Sequence, residues 1–163
     1  MNLLSENRFE IQPYDYIEYF MSEAALLVTM DINNNPNVMA LLYRMIGEMW
    51  GLPIITIGVA PSRYSFELLT KNVNEFSVNI PSNRIIRAIE IAGDYSGRDI
   101  DKFKKAGLDI IPGKQIKVPT IKDCILSYEC KVRHIDKSGD LSGHYLFFGE
   151  LLAAYASNDI MKK

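Results

Sequence analysis

Residues 124–155 read CILSYECKVRHI-DKSGD-LS-GHYLFFGELLAAY, and they carry the clearest structural signal in the chain. Residues 124–135 predict a long strand, and residues 136–140 predict a turn because aspartate, serine and glycine favour turns. Residues 143–155 predict the strand that returns beside the first. A long hairpin of this kind favours an antiparallel sheet.

The rest of the chain predicts strands joined by turns, with short helices inserted among them. Further strands are predicted at residues 24–30, 37–43, 53–59, 75–80 and 115–118. Helices are predicted at residues 14–21, 63–71, 83–92 and 99–106, with Ser62, Ser82 and Asp99 as N-terminal caps and Gly93 and Gly107 as ends. Because the helices are inserted rather than alternating with strands, the pattern indicates an α+β fold with an antiparallel sheet or small barrel.

Composition narrows the class of protein. The chain has 163 residues with 48% hydrophobic and 23% charged side chains, which is typical of one globular domain over residues 1–163. The net charge is −2, without a long basic run, and this argues against a nucleic-acid-binding protein. The apolar run at residues 145–155 is too short to span a bilayer, so no membrane association is expected.

The cysteines and histidines predict no metal site and no disulfide. Cys124 and Cys130 lie six positions apart on one predicted strand, too far for a disulfide, and no CxxC motif occurs. His134 and His144 have no metal-ligand spacing. With no signal-peptide pattern at the start, the expected setting is a reducing cytoplasm.

Two predicted helix starts combine cationic and hydroxyl side chains. One is APSRYS at residues 60–65, which contains Arg63, and the other is YSGRDIDKF at residues 95–103, which contains Arg98 and Lys102. Helix N-termini offer free N–H groups and a positive dipole end, so each segment suits a phosphate. A capped helix with solvated charges explains either segment equally well, and both interpretations stay open here.

Three further features fit a phosphorylated, planar, partly apolar ligand. Asn37 opens a strand that ends in Tyr43, the run FSVNIP ends another strand, and His144 opens the last long one. A turn asparagine followed by core residues, and a half-exposed strand histidine, are the plainer alternatives. The Walker, GxGxxG and GxSxG motifs are absent, so neither a standard nucleotide loop nor a nucleophile elbow is indicated.

Taken in order, the motifs resemble the flavin reductase-like family of FMN-binding split barrels, most closely its flavoredoxin-type members. The residues that carry the resemblance are Asn37 and Met39, Pro53, Arg63-Tyr64-Ser65 with Glu67-Leu68, EFSVNIP at residues 75–81, Gly93 with residues 96–103, Tyr128-Glu129-Cys130, Gly143-His144 and Phe148-Gly149-Glu150. Ala40 and Tyr43 stand where the family commonly has threonine and tryptophan.

The resemblance implies a mainly β, six-stranded antiparallel split β-barrel with short flanking helices. It implies a homodimer with one FMN near each dimer interface. The residues implied to bind the cofactor are Asn37, Met39, Ala40, Leu41 and Tyr43 along the ring, Arg63, Tyr64, Ser65 and Lys102 toward the phosphate, Asn79 and Ile80 beside the ring or ribityl chain, and His144 near the flavin. Arg98 is a weaker candidate for the phosphate, and the alternative is that it fixes the loop or the dimer contact. No catalytic acid or base and no metal ligand is implied, because the flavin supplies the redox chemistry.

The function that the resemblance implies is a flavoprotein oxidoreductase. It would move electrons from NAD(P)H or a protein donor through FMN to an acceptor, with a redox protein as a further expected partner. The alternative is a non-catalytic flavin-binding or electron-carrier protein that has no nicotinamide site.

Overall fold

A large antiparallel sheet forms the body of the structure, a computed structural model that describes residues 7–21 and 24–162. The strands in the described residues are β1 Arg8–Ile11, β2 Ala25–Met30, β3 Pro36–Leu41, β4 Arg44–Met49, β5 Leu52–Val59, β6 Glu75–Pro81, β7 Ile110–Ile111, β8 Thr120–Ile121, β9 Cys124–Lys137 and β10 Tyr145–Ser157. The helices are α1 Ile17–Phe20, α2 Tyr64–Lys71, α3 Ala88–Asp94 and α4 Lys102–Ala106, followed by a 3-10 turn at Asn158–Lys162.

The predicted long hairpin is the centre of this sheet. The strand order is β3-β2-β6-β9-β10-β5-β4, with β1 also paired to β10, and the smaller β7–β8 pair stands apart. β9 pairs with β10 on one side and β6 on the other, both antiparallel. Register shifts in the β9–β10 pairing, one of them at Phe148/Gly149, mark bulges, which increase local twist and bend a strand. Because β3 and β4 stand at opposite ends of the order, the barrel is split, which confirms the predicted fold class.

The strand count differs from the expected six, because the main sheet in the described residues has eight strands. β1 and β4 were not predicted. β4 reads RMIGEM and leaves Met45 and Met49 exposed, so its sequence lacks the regular alternation of a half-buried strand. β4 is a strand because it pairs with β5, and not because of its own composition.

The core lies on both faces of the sheet. Ala25 and Leu27 of β2 pack in one cluster inside the sheet, whereas Leu26 and Val28 pack in a second cluster with residues of α3 and α4. Successive side chains of a strand point to opposite faces, so β2 is buried throughout and reads as a continuous apolar run. Within the described residues, no helix is long and apolar enough to cross a membrane.

Two predicted helix starts are wrong. The helix expected at residues 14–21 is only α1, because residues 13–16 form a turn in which Tyr16 has a φ of 56°. The helix expected after Ser82 begins only at Ala88, where α3 starts, and Gly93 lies within α3 rather than after it. The buried Ser82 hydroxyl has no hydrogen-bond partner among the described residues, so this side chain caps nothing.

The capping residues of the other two helices also shift. Arg63, not Ser62, is the N-cap of α2, and its side chain makes no capping hydrogen bond. Asp101, not Asp99, caps α4 by accepting a hydrogen bond from the Lys104 amide at 3.1 Å. Gly107 ends α4 with a φ of 65°, which confirms its predicted role.

The strand expected at residues 115–118 is absent, because two carboxylates bind this segment instead. Glu129 is fully buried and accepts from the Lys114 amide at 2.5 Å and from the Tyr155 hydroxyl at 3.0 Å. Glu75 accepts from the Lys117 amide at 2.8 Å. Side-chain acceptors therefore take the backbone donors that a neighbouring strand would otherwise satisfy.

Candidate cofactor-binding site

A cavity of about 600 Å³ opens between β3, the start of α2 and the segment that joins α3 to α4. Its size lies in the range of small-molecule and cofactor sites. The predicted residues that line it are Asn37, Met39, Ala40, Arg63, Tyr64, Ser65 and Lys102. The structure thus brings both cationic helix starts and the asparagine-led strand to one hollow, although they are far apart in the sequence.

β3 forms one wall of the cavity. It stands at the end of the strand order, where β2 is its one neighbouring strand among residues 7–21 and 24–162, and α3 packs against it. A Cβ placed on Gly93 would lie 3.5 Å from the Ala40 Cβ, which shows how closely α3 approaches. The unpaired edge of a strand presents backbone N–H and C=O groups, and these can bind the polar edge of a planar ring without a side-chain hydroxyl.

The Asn37 end of β3 meets the start of α2. The Asn37 side-chain amide donates to the Ser65 hydroxyl at 3.1 Å, and both side chains are buried. Since no side chain in the described part of the chain caps α2, the first N–H groups of the helix keep their capacity to bind an anion. Arg63, the N-cap residue, adds a cationic side chain to the same end of the cavity.

Lys102 is a buried cation on the opposite wall. It is 5% exposed, and its ammonium donates to the carbonyls of Ala92 at 2.9 Å and Tyr95 at 3.1 Å. These carbonyls lie in the last turn of α3 and just beyond it, where carbonyl groups lack helical partners. Burial, and then the nearby charge of Arg63, lower the pKa of Lys102 to about 8. Within the described residues its third N–H has no protein acceptor, so it can serve a ligand.

The segment after α3 fits closely against the other walls. A Cβ on Gly97 would overlap the Asn37 side-chain oxygen and lie 2.9 Å from Cδ1 of Tyr64. Glycine is therefore required at this point for the backbone to approach β3 and α2. The neighbouring Arg98 is not among the described residues that line the cavity; it lines a second hollow, which shares Gly97 and Lys102 with the first.

The other predicted residues lie away from the cavity. Leu41 and Ile80 are buried in the core inside the sheet. The Asn79 amide donates to Leu26 O at 3.3 Å and to the Ser77 hydroxyl at 3.0 Å, and its oxygen accepts from the Ile121 amide. The internal network thus uses both ends of this side chain.

Tyr43 and His144 form a separate pair. Their ring centroids are 4.9 Å apart in an edge-on arrangement, and Tyr43 is 60% exposed. Tyr43 follows β3 directly after Leu42, which does line the cavity. The pair therefore lies at the Leu42 end of the wall, opposite the Asn37 end along the strand.

Sequence reasoning missed several residues of the cavity, notably Leu42, Ile89, Ala92 and Asp94. Ile89 and Ala92 fall in the helix that the sequence predicts at residues 83–92. Helical spacing of apolar residues looks the same whether that side packs on a core or lines a cavity, so the sequence carried no separating signal.

The chain belongs to the flavin reductase-like domain family, whose model matches residues 19–163. It is similar to an uncharacterised protein of Pyrococcus abyssi, with 35% identity over 100 residues, which cover 61% of this chain and 55% of that protein. The chain therefore spans about half the length of that relative.

Solved structures show the same fold. The flavoredoxin from Methanosarcina acetivorans is 29% identical, with a TM-score of 0.70 over 82% of this chain and 67% of that one. An FMN-binding domain of a flavin reductases-like enzyme from Shewanella baltica has a TM-score of 0.78 over 95% of this chain and 80% of that one. At 16% identity the second likeness concerns the fold alone. The resemblance found in the sequence is thus confirmed.

Proposed function

We propose that this protein is an FMN-dependent oxidoreductase that holds the cofactor in the cavity beside β3. The observation that carries the proposal is the meeting of Arg63, the uncapped start of α2 and Lys102 at one end of a cofactor-sized cavity. Paired cations and backbone N–H groups are the donors that a dianionic phosphate prefers. When bound, FMN supplies the redox chemistry, taking electrons from a donor and passing them to an acceptor.

The two ends of β3 suit the two ends of the cofactor. Asn37 and Ser65 mark the polar end, and Met39, Ala40 and Leu42 lead to an apolar end. A strand rises about 3.4 Å per residue, so the wall from Asn37 to Leu42 extends roughly 17 Å. We infer that the phosphate binds near Lys102, and that the ring lies farther along β3, toward Tyr43 and His144.

The residues present fit this cofactor. Gly97 allows the close approach that shapes the wall, and Lys102 has a donor available at the phosphate end. Ala40 offers no hydroxyl, so its contact with the ring would come from the backbone of the unpaired strand edge. The role of these residues is to bind, orient and shield the cofactor rather than to transfer protons.

The electron donor is tested by mixing the purified protein with FMN and either NADH or NADPH under anaerobic conditions. We expect the bound flavin band to bleach with at least one nucleotide, because a nicotinamide delivers a hydride directly to a flavin. FMN without protein is the control, and dithionite shows that the bound flavin can be reduced. Bleaching by dithionite but by neither nucleotide would contradict the reductase proposal and favour the electron-carrier alternative.

The proposal includes a homodimer, supported by the exposed apolar end of the sheet. Met45, Met49 and Trp50 are each about half exposed or more, and they belong to the end strand β4 or its turn. Trp50 adopts a φ of 58°, unusual for a bulky residue, and its ring centroid lies 5.9 Å from that of Phe148. Exposed apolar edge strands favour pairing. Sedimentation velocity at micromolar concentration should show a dimer, and a monomer would contradict this part of the proposal.

The cellular compartment and any redox partner protein also belong to the proposal. Cys124 and Cys130 are free thiols, and burial raises the pKa of each, which keeps both unreactive. A reducing cytoplasm stays the proposed setting. A redox protein as electron donor or acceptor also stays a prediction.

A further inference from the structure

Arg98 connects the two walls of the cavity from outside. Its guanidinium donates to the Ser62 carbonyl at 3.2 Å and to the Glu67 carboxylate at 3.1 Å. Its Cζ also lies 5.3 Å from the centre of the Tyr64 ring. Ser62 and Tyr64 line the cavity at the start of α2, whereas Arg98 belongs to the segment after α3 that forms the facing wall.

The segment that carries Arg98 is tightly shaped at this point. The Arg98 amide donates to the Ser96 hydroxyl at 3.2 Å, and the amides of Asp99 and Ile100 donate to the Ser96 carbonyl at 3.0 and 3.2 Å. The adjacent Gly97 has no room for a side chain against Asn37 and Tyr64. A small displacement of this segment would therefore change the width of the cavity.

We propose that Arg98 is a positioning residue that holds the Ser96–Arg98 turn against α2 and so fixes the spacing of the phosphate-binding groups, rather than a phosphate ligand itself. The proposal rests on the proposed function for its effect on FMN, but the contacts that define it are present in the flavin-free protein. Two observations carry it: within the described residues the guanidinium contacts only α2 and the residues just before it, and Arg98 does not line the cavity that Arg63 and Lys102 share.

Substitution of Glu67 distinguishes a positioning role of Arg98 from direct binding of the phosphate by Arg98. If Arg98 positions the turn, replacing its partner by Glu67→Gln weakens the hold and loosens FMN. If Arg98 instead binds the phosphate, Glu67→Gln releases the guanidinium from its ion pair, and FMN binds equally well or more tightly. The same argument predicts that Arg98→Lys behaves like Arg98→Ala, because lysine lacks the planar fork that makes several contacts at once.

The first measurement is hydrogen–deuterium exchange on the flavin-free protein. We expect the amides of Arg98, Asp99 and Ile100 to exchange faster in Arg98→Ala and Glu67→Gln than in the wild type. Arg133→Ala is the matched control, since Arg133 is exposed to the same degree and also pairs with a glutamate, Glu150. Unchanged exchange in both test variants would overturn the proposal that Arg98 and Glu67 act as a clamp on the Ser96–Arg98 turn. That conclusion would hold whether or not the protein binds FMN.

The second measurement is titration of each variant with FMN and with riboflavin, which lacks the phosphate. We expect FMN affinity to fall about 3- to 10-fold in Arg98→Ala and less in Glu67→Gln, as exposed ion pairs have modest effects. Riboflavin affinity should change little, because the clamp acts at the phosphate end. Unchanged or tighter FMN binding by Glu67→Gln would overturn the proposal. Failure of the wild type to bind FMN would instead contradict the proposed function, while the exchange result still decides on the clamp.

Discussion

Replacing Lys102 with methionine is expected to weaken FMN binding about 10- to 100-fold, because a hydrogen bond to a charged group contributes about 1.5–3 kcal/mol. The ammonium is buried at the cavity wall and, as far as the structure describes the chain, has one N–H left for a ligand after its bonds to Ala92 and Tyr95. Methionine has a similar length and helix propensity but no charge. Fluorescence quenching of FMN measures the loss, and riboflavin should show a smaller one.

The control for this substitution is Lys104→Met, which changes an exposed lysine of the same short helix. Its FMN affinity should equal that of the wild type. Since Lys102 also binds two carbonyls at the end of α3, thermal unfolding of Lys102→Met must show that the variant is folded at the temperature of the titration. A folded Lys102→Met that binds FMN as the wild type does would return Lys102 to a purely structural role.

The pH dependence of binding gives a second readout of the same residue. In the flavin-free protein the Lys102 pKa is about 8, below its ordinary value of 10.5, because burial and Arg63 disfavour the charge. A phosphate dianion favours the protonated lysine, so binding above pH 8 takes up a proton. FMN affinity should therefore be level just below pH 8 and fall by up to about tenfold per pH unit above it. This decline should disappear in Lys102→Met.

The lowered pKa of Lys102 also makes the free energy of unfolding depend on pH, in the opposite direction to the FMN affinity. Between about pH 8 and 10.5 the unfolded chain binds a proton that the folded, flavin-free protein has lost. The free energy of unfolding therefore increases as the pH rises through this range. Below the range, the cost of burying the charged Lys102 is present in full. Bound FMN should reduce the effect by keeping Lys102 protonated.

Gly113→Ala is expected to destabilise the fold by about 3 kcal/mol and lower the unfolding temperature by roughly 6–12 °C. A Cβ at this position would overlap the Ile116 carbonyl and lie 2.6 Å from the Val118 carbonyl and 2.9 Å from the Glu129 carboxylate. These atoms are backbone or part of a buried hydrogen-bonded network, so they cannot move aside without breaking other bonds.

Gly143→Ala is the matched control for this prediction. No atom of the described residues lies within 4 Å of a Cβ built on Gly143, and its φ is outside the left-handed region, so the unfolding temperature should stay close to that of the wild type. Calorimetry or circular dichroism measures both variants. Equal unfolding temperatures for Gly113→Ala and Gly143→Ala would show that the loop at residues 112–118 adapts more easily than its packing indicates.

The sheet was predictable because its strands are long and apolar and are separated by strong turn signals. The strands at residues 24–30, 53–59 and 75–80 differ from the observed bounds by a residue at an end, and the β9–β10 hairpin is present. β4 could not be predicted, because its side chains are largely exposed and only its partner β5 defines it. The strand expected at residues 115–118 does not form, because Glu129 and Glu75 accept from backbone amides of this loop, and these contacts depend on the tertiary structure.

The candidate site was predictable at its polar end and not at its apolar end. Arg63, Ser65 and Lys102 carry chemistry that stands out in a sequence, and the structure places all three on one cavity. Leu42 and Ile89 carry only hydrophobicity, which a core explains equally well. Asn79 stood out for its amide, yet that amide holds neighbouring backbone inside the fold. Polar side chains beside a site serve the scaffold as well as the ligand, and only the hydrogen-bond partners distinguish the two.

The burial of Lys102 has one further consequence. In a solvent-exposed site, an ammonium must shed its water when the anion arrives, and that desolvation weakens the net interaction. Here the water has already been replaced by the carbonyls of Ala92 and Tyr95 in the free protein. The site is therefore preorganised, because the free-energy cost of desolvating and ordering the cation is met when the protein folds and not when the ligand binds. Burial of Lys102 thus lowers the free energy of unfolding, and in return it raises the affinity for a phosphate without adding a contact.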